Sequence, residues 1–346
     1  MKILIIGSKI SYRSPMFFFR AFKSLGMDTK IFDDEEYYWR HLSLIKNRYT
    51  HRLFWKTFSL SVNKELIRTV NKAKPDMLFI IKGWFYSPKT LREIKATSQA
   101  LIFIFNPDDP FSLNLGSSSE FIRNSISIYD AYFIWSKTLV SKLKDAGAKM
   151  TEYLPFGYDP ALHYPVAVAA GDSKVFGSNI TFVGNWDQER EKWLSGLEGY
   201  NLALWGTDYW KTRCRNKFLK SSWKHGVAFG DKWSRVCLAS DINLNILRPQ
   251  NKGGHNTRTF EIPACGGFML HERSDEALEF FKEGKEAEYY SSIEELKDKI
   301  NFYLSNSGLR IRIARAGYER CIKSGYSYTS RVEHIMTVYE KMRLGA

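Results

Sequence analysis

The sequence predicts an α/β protein with two domains, each built on a parallel sheet. Three observations carry this. The chain has 346 residues, more than one ordinary core accommodates. Short continuous apolar runs alternate with helix-like stretches, and the alternation occurs twice, with a Pro-containing lapse between. The runs are apolar throughout rather than every second residue, as expected for strands covered on both faces.

The first alternation opens with a strand over 2–6, a loop over 7–14, a helix over 16–25 stopped by Gly26, and a strand over 29–32. Further strands are predicted over 76–82, 100–105, 132–135 and 151–154, with helices over 88–97 and 137–145. From 158 to 177 the pattern lapses, which places a linker over 158–178 between domains at 1–157 and 179–325. The second alternation has strands over 180–183, 201–205, 227–229, 242–247, 268–270 and 288–290. Its helices fall at 189–197, 232–239, 257–265, 275–282, 293–304 and 308–323, and a terminal helix within 326–346 is expected to return toward the first domain.

A formal charge of +14 points to an anionic partner: nucleic acid, anionic lipid or a phosphorylated substrate. RNA-binding signatures are absent, so no specific nucleic acid is expected. The four cysteines are widely spaced and read as free buried thiols in a reducing cytoplasm. The N-terminus lacks the pattern of a signal peptide, and no apolar run approaches the ~20 residues of a membrane span. Segment 39–74 carries nine Lys or Arg after Trp39 against the single acid Glu65, interleaved with aromatics. It is either a solvated helix face or a peripheral contact with anionic membrane or a lipid-linked acceptor.

Candidate chemistry concentrates at 248–272. A strand leads into a glycine-containing loop, a short helix, a Gly266-Gly267 stop and another strand. Such a junction offers backbone amides to an anion. Arg248, Lys252, His255 and Arg258 add positive or hydrogen-bonding groups, and Glu261 sits one turn into the helix, suited to sugar hydroxyls. In the first domain, Gly7 with Ser8 and Gly83 with Trp84 follow strands, where open parallel sheets bind ligands, and are expected to hold the acceptor. Asp108 and Asp109 follow the strand over 100–105 and are either a general base or turn residues before Pro110.

The segment Asn256-Thr257-Arg258-Thr259-Phe260-Glu261, continuing through Ala264-Cys265-Gly266-Gly267-Phe268, resembles the N-x-R-x-F-E-x-x-A-C-G-G-F segment of CgeB-like (spore maturation protein) glycosyltransferases. Asp108-Asp109-Pro110, Leu154-Pro155-Phe156-Gly157, Phe182-Val183-Gly184 with Arg190, and Ser327-Tyr328 with Arg331 agree in order, so the resemblance covers nearly the whole chain. Gly325-Tyr326 departs from it where a His is expected. The resemblance implies the GT-B fold, two Rossmann-like domains facing each other across a cleft, and sugar transfer from a nucleotide-sugar to a hydroxyl acceptor. It implies that Glu261 meets the donor ribose, that Thr257 and the following amides meet the diphosphate, that Gly184 and Asn185 face the donor phosphates, and that Arg190 and Asn256 belong to the same donor site. No cofactor and no metal are expected, because cations take over leaving-group stabilisation. The acceptor is expected to be a glycan or lipid-linked intermediate of bacterial surface polysaccharide or lipopolysaccharide. Rival readings are an inactive binding protein of this fold, an epimerase or phosphorylase, and a nucleic-acid-binding protein.

Overall fold

The computed structural model describes residues 1–37, 48–113, 116–169 and 171–345, with the backbone alone for 48–57. The chain forms two compact units, Met1–Pro155 with Val332–Ala346, and Phe156–Arg331.

The first unit holds a six-stranded sheet: β1 (Lys2–Ile6), β2 (Asp28–Phe32), β3 (Met77–Ile81), β4 (Leu101–Asn106), β5 (Ala131–Ile134) and β6 (Thr151–Tyr153). The order is β2-β1-β3-β4-β5-β6, and every pairing is parallel. All of β3 is buried, which is why its sequence is apolar without alternation. The helix Ser14–Ser24 lays Phe18 and Phe22 on this sheet, with Phe18 meeting Phe79 at 4.9 Å and Phe105 at 5.2 Å between ring centres. The long helix Arg48–Ala73 follows β2 in the chain. Of the basic, aromatic segment, 39–47 and the side chains of 48–57 lie outside the described residues. From Phe58 onward the helix buries Phe58, Val62, Leu66 and Val70 at helical spacing, an apolar face on the core.

The second unit holds β7 (Ser178–Val183), β8 (Leu202–Trp205), β9 (Ser240–Asn245), β10 (Met269–Glu272) and β11 (Glu288–Tyr290) in the order β11-β10-β9-β7-β8, again all parallel. The expected strand over 227–229 does not form. There the chain only brushes the β8 edge, through Lys224 N to Leu204 O at 2.8 Å and Gly206 N to Gly226 O at 2.8 Å. Nor is 158–178 a bare linker. Tyr158 bridges Ser327, and the helix Asp172–Val175 leads into β7. Two short helices, Tyr209–Thr212 and Lys217–Ser222, follow β8, where 211–224 carries six Lys or Arg and no acid.

In each sheet the strand order reverses once, between β1 and β3 in the first unit and between β7 and β9 in the second. The crevice beyond the carboxyl ends of strands at such a reversal is where open α/β sheets take ligands.

Candidate donor-binding site in the second unit

The β7/β9 reversal brings Gly184 and Asn185 beside 246–248. The turn is tight: a Cβ on Gly206 would lie 2.2 Å from the Gly184 carbonyl, so glycine is needed there. The helix Gln188–Ser195 begins beyond it, capped by the Asp187 carboxylate, which accepts the Arg190 amide at 3.0 Å. Arg190 itself is buried. It donates Nε and Nη2 to the Ile246 carbonyl, at 3.3 and 3.0 Å, and Nη1 to the Asn185 carbonyl at 3.1 Å. Burial pulls its guanidinium down to about 10, helped by Arg248, and it remains charged at neutral pH. Arg190 therefore ties the ends of β7 and β9 together. It shapes the floor and supplies field, with three of its N–H donors held by backbone carbonyls.

Arg248 is the cation with the most reach. Its side chain is 41% exposed and its nearest carboxylate, Asp187, is 3.8 Å away. Lys252 is drawn aside by Glu272, with Glu189 at 3.8 Å. Arg258 donates Nε to the Val183 carbonyl at 3.1 Å, stacks on Trp233 at 4.2 Å, and pairs with Glu261. Burial lowers its guanidinium to about 10. The cations Arg190, Arg248, Lys252 and Arg258 thus face the carboxylates of Asp187, Glu189, Glu261 and Glu272, and a bound diphosphate must compete with those pairs.

The helix Arg258–Ala264 is set by Asn256, whose Oδ1 accepts the Thr259 amide while Thr259 Oγ1 accepts the Asn256 amide, both at 3.3 Å. Asn256 Nδ2 also donates to Asn245 Oδ1 at 2.7 Å, and Thr259 Oγ1 meets His271 Nε2 at 2.8 Å. Burial holds His271 down at about 4, so it is neutral. Asn256, expected in the donor site, is a cap bonded to β9. Thr257 is already helical, and the amides of Thr257 and Arg258 are first-turn groups without an intrahelical acceptor.

His255, expected at the phosphates, is fully buried. Its Nε2 accepts the Phe156 amide at 3.1 Å, and its Nδ1 faces Glu276 Oε2 at 2.8 Å, which sets the tautomer with the proton on Nδ1. Phe156, Phe260 and Phe280 surround the ring. Both nitrogens are engaged within the fold, which gives His255, a candidate catalytic group from the sequence, a structural role here. Arg331 grips the next peptide group, donating Nε and Nη2 to the Phe156 carbonyl at 3.2 and 3.0 Å. A Cβ on Gly157 would lie 2.7 Å from the Tyr326 carbonyl. The scattered segments near 156, 255 and 327–331 are one clasp.

Glu261 is 3% exposed. One oxygen takes Arg258, and the other lies 3.6 Å from His163 Nε2. Sequence reasoning missed His163, which it placed in the linker. The signal was Asp159-Pro160, a turn that brings the residue four places on back to Asp159. Trp233, beneath Arg258, was also missed.

In the first unit, Asp108 Oδ2 is 2.6 Å from Lys82 Nζ, and Asp109 Oδ1 accepts the Phe111 amide at 2.8 Å, a turn bond. Ser8 Oγ accepts the Ile10 amide at 3.2 Å. Gly7 and Gly83 are dictated by close approach: a Cβ would meet Pro15 Cγ at 2.6 Å and the Tyr129 hydroxyl at 2.8 Å. Gly83 is also left-handed, with φ of 71°. Of the four expected acceptor residues, Trp84 is the one with an accessible side-chain surface, and Lys82 Nζ lies 5.1 Å from its ring centre. Among the described residues no helix is long and apolar enough to cross a membrane.

Residues 188–337 match the sequence model of a family described as glycosyl transferase-like. No curated protein matches the sequence. Solved structures align over the chain at low identity. Sucrose-phosphate synthase from Thermosynechococcus elongatus has a TM-score of 0.71 at 11% identity, covering 100% of both chains. Trehalose-6-phosphate synthase OtsA has 0.69 at 14%, covering 98% of this chain and 99% of its own. Anabaena HepE in complex with UDP-glucose has 0.65 at 13%, covering 99% and 100%. The chain therefore has the GT-B fold of two Rossmann-like α/β units, and the glycosyl transferase-like segment spans the helix Gln188–Ser195, β8 to β11 and most of the residues of the candidate site.

Proposed function

We propose that this protein transfers a sugar from a nucleotide-sugar to a hydroxyl acceptor. The observation that carries the reading is the convergence of Arg248 and Arg258 on the β7/β9 reversal, over a floor charged by Arg190, inside the glycosyl transferase-like segment. HepE, of the same fold, is described with UDP and with UDP-glucose, which favours a uridine nucleotide as the first donor to try.

Transfer separates a nucleoside diphosphate from the anomeric carbon, and negative charge grows on the departing phosphate. Arg248, and Arg258 once released from Glu261, stabilise that charge without a metal. Removing one such group typically costs about 2.7–4 kcal/mol of transition-state stabilisation. Glu261 takes the ribose hydroxyls, and Gly184 and Asn185 border the phosphates. In the first unit we assign the acceptor to the carboxyl ends of β1, β3 and β4, with Trp84 as its stacking surface. Asp109 is favoured over Asp108 as the group that draws the acceptor proton, because Asp108 is engaged by Lys82. The match at Asn256–Phe268 supports a CgeB-like enzyme. The basic segment 39–74 supports a surface-polysaccharide or lipopolysaccharide acceptor reached from the inner face of the membrane.

The test is a thermal-shift screen of nucleotides and nucleotide-sugars, followed by assay of nucleotide release with and without acceptor. Release that depends on acceptor supports transfer. Interconversion of the sugar without acceptor indicates an epimerase. No response to any nucleotide sinks the reading.

A further inference from the structure

We infer that His163 is the positioning residue that holds the Glu261 carboxylate in the plane that receives the two ribose hydroxyls, an inference that rests on the donor reading above. A carboxylate that serves a diol must offer one oxygen to each hydroxyl, yet the terminal torsion of a glutamate side chain is broad. Something outside the side chain must set its plane. Two groups flank Glu261 in this structure, Arg258 at one oxygen and His163 Nε2 at the other, 3.6 Å away.

Arg258 is an unsuitable guide, because the donor diphosphate is to draw it off. Its departure would leave a carboxylate that is 3% exposed without its counter-ion, a costly state unless a second donor remains. His163 is built to be that donor. The Asp159 amide donates to its Nδ1 at 2.9 Å, so the neutral ring carries its proton on Nε2, facing Glu261. The ring is held by a closed turn. The Leu162 and His163 amides donate to the Asp159 carbonyl at 3.0 and 2.8 Å, and the Ala161 amide donates to Asp159 Oδ1 at 2.9 Å. Asp159 and His163 are both buried. A small rotation of the carboxylate brings Oε1 into hydrogen-bonding range of a proton that cannot turn away.

The consequence is specific to the sugar of the nucleotide. Calorimetry on the full chain would compare UDP with 2′-deoxy-UDP, and ADP and GDP with their deoxy forms if UDP does not bind. We expect the wild type to prefer the ribonucleotide by ~10-fold or more, the usual effect of a hydrogen bond to a charged group. His163→Asn keeps an acceptor for the Asp159 amide but has no donor at the Nε2 position, and should reduce the preference to ~2-fold or less. His163→Gln places an amide nitrogen near that position and should restore much of it. With 15N-histidine-labelled wild type, UDP should move the Nε2–H resonance that is absent from His163→Gln. That measurement serves if His163→Asn does not fold. Equal weakening of both nucleotides by His163→Asn, or an unmoved resonance, would overturn the positioning role and leave the donor reading intact. A wild type that binds UDP and 2′-deoxy-UDP equally would overturn it together with the ribose role of Glu261, and leave the phosphate site intact. A wild type that binds no nucleoside diphosphate would overturn both.

Discussion

His255 and Asp34 are residues whose partners decide their behaviour. Replacing His255 with Ala removes the acceptor of the Phe156 amide and the ring beside Glu276. The expected effect is a loss of about 1–3 kcal/mol of stability, read by urea unfolding, with nucleotide affinity per folded molecule unchanged. Unchanged stability would contradict the clasp. Asp34 lies buried after β2, takes a hydrogen bond from the Tyr86 hydroxyl at 3.1 Å, and is raised by burial from 3.8 to about 7, with Asp33 and Glu35 adding to the rise. A raised carboxyl binds its proton more tightly folded than unfolded. Its contribution is complete below the unfolded value and is lost as pH climbs toward 7. Asp34→Asn should therefore gain on the wild type between about pH 4 and pH 7, by at most ~1.4 kcal/mol per pH unit, and run parallel above that range. A constant difference across pH would show that Asp34 is not held neutral. For Arg248, the outlying cation, substitution by Ala should weaken nucleoside diphosphate binding ~10-fold or more without destabilising the fold. Loss of stability in step with binding would make it another structural arginine like Arg190. From the sequence, these arginines are alike. They separate only when Arg190 is seen to donate to Ile246 O, 56 residues away.

At the scale of elements, the terminal helix Tyr328–Leu344 starts in the second unit and ends in the first. Val332, Ile335 and Val338 are buried, Tyr339 meets Phe103 at 6.2 Å, and Arg343 donates to the Gln99 carbonyl at 3.2 Å. Full burial of an aliphatic side chain is worth about 1.5–3 kcal/mol. Truncation after Arg331 should thus lower the stability of the first unit by several times that of a typical point substitution, read as an earlier unfolding transition. An unshifted transition would show the helix to be dispensable. Strand positions were legible because parallel strands buried on both faces are apolar throughout, as at β1 and β3. The three-residue run 227–229 is likewise apolar, but the bonds to the β8 edge are made by Lys224 and Gly226 just before it, and tertiary pairing, not apolarity, decides whether a strand forms.

Over the whole molecule, nucleotide binding should reveal the division of labour. Hydrogen exchange with a saturating nucleotide-sugar should slow amides at 184–190 and 248–261, and a ligand at 100 times its Kd adds about 2.7 kcal/mol of stability to the species that binds it. Protection centred on 1–155 would place the donor in the wrong unit. The sequence by itself determined two parallel α/β units and a charged loop-helix in the second, because hydrophobic periodicity and glycine punctuation are local properties of a chain. Only the tertiary structure decided which of those charged groups remain available. His255 is consumed by Phe156 and Glu276, Asn256 by Asn245, and Glu261 is flanked by His163, since hydrogen-bond partners separated by up to 99 residues meet only when the sheets have formed.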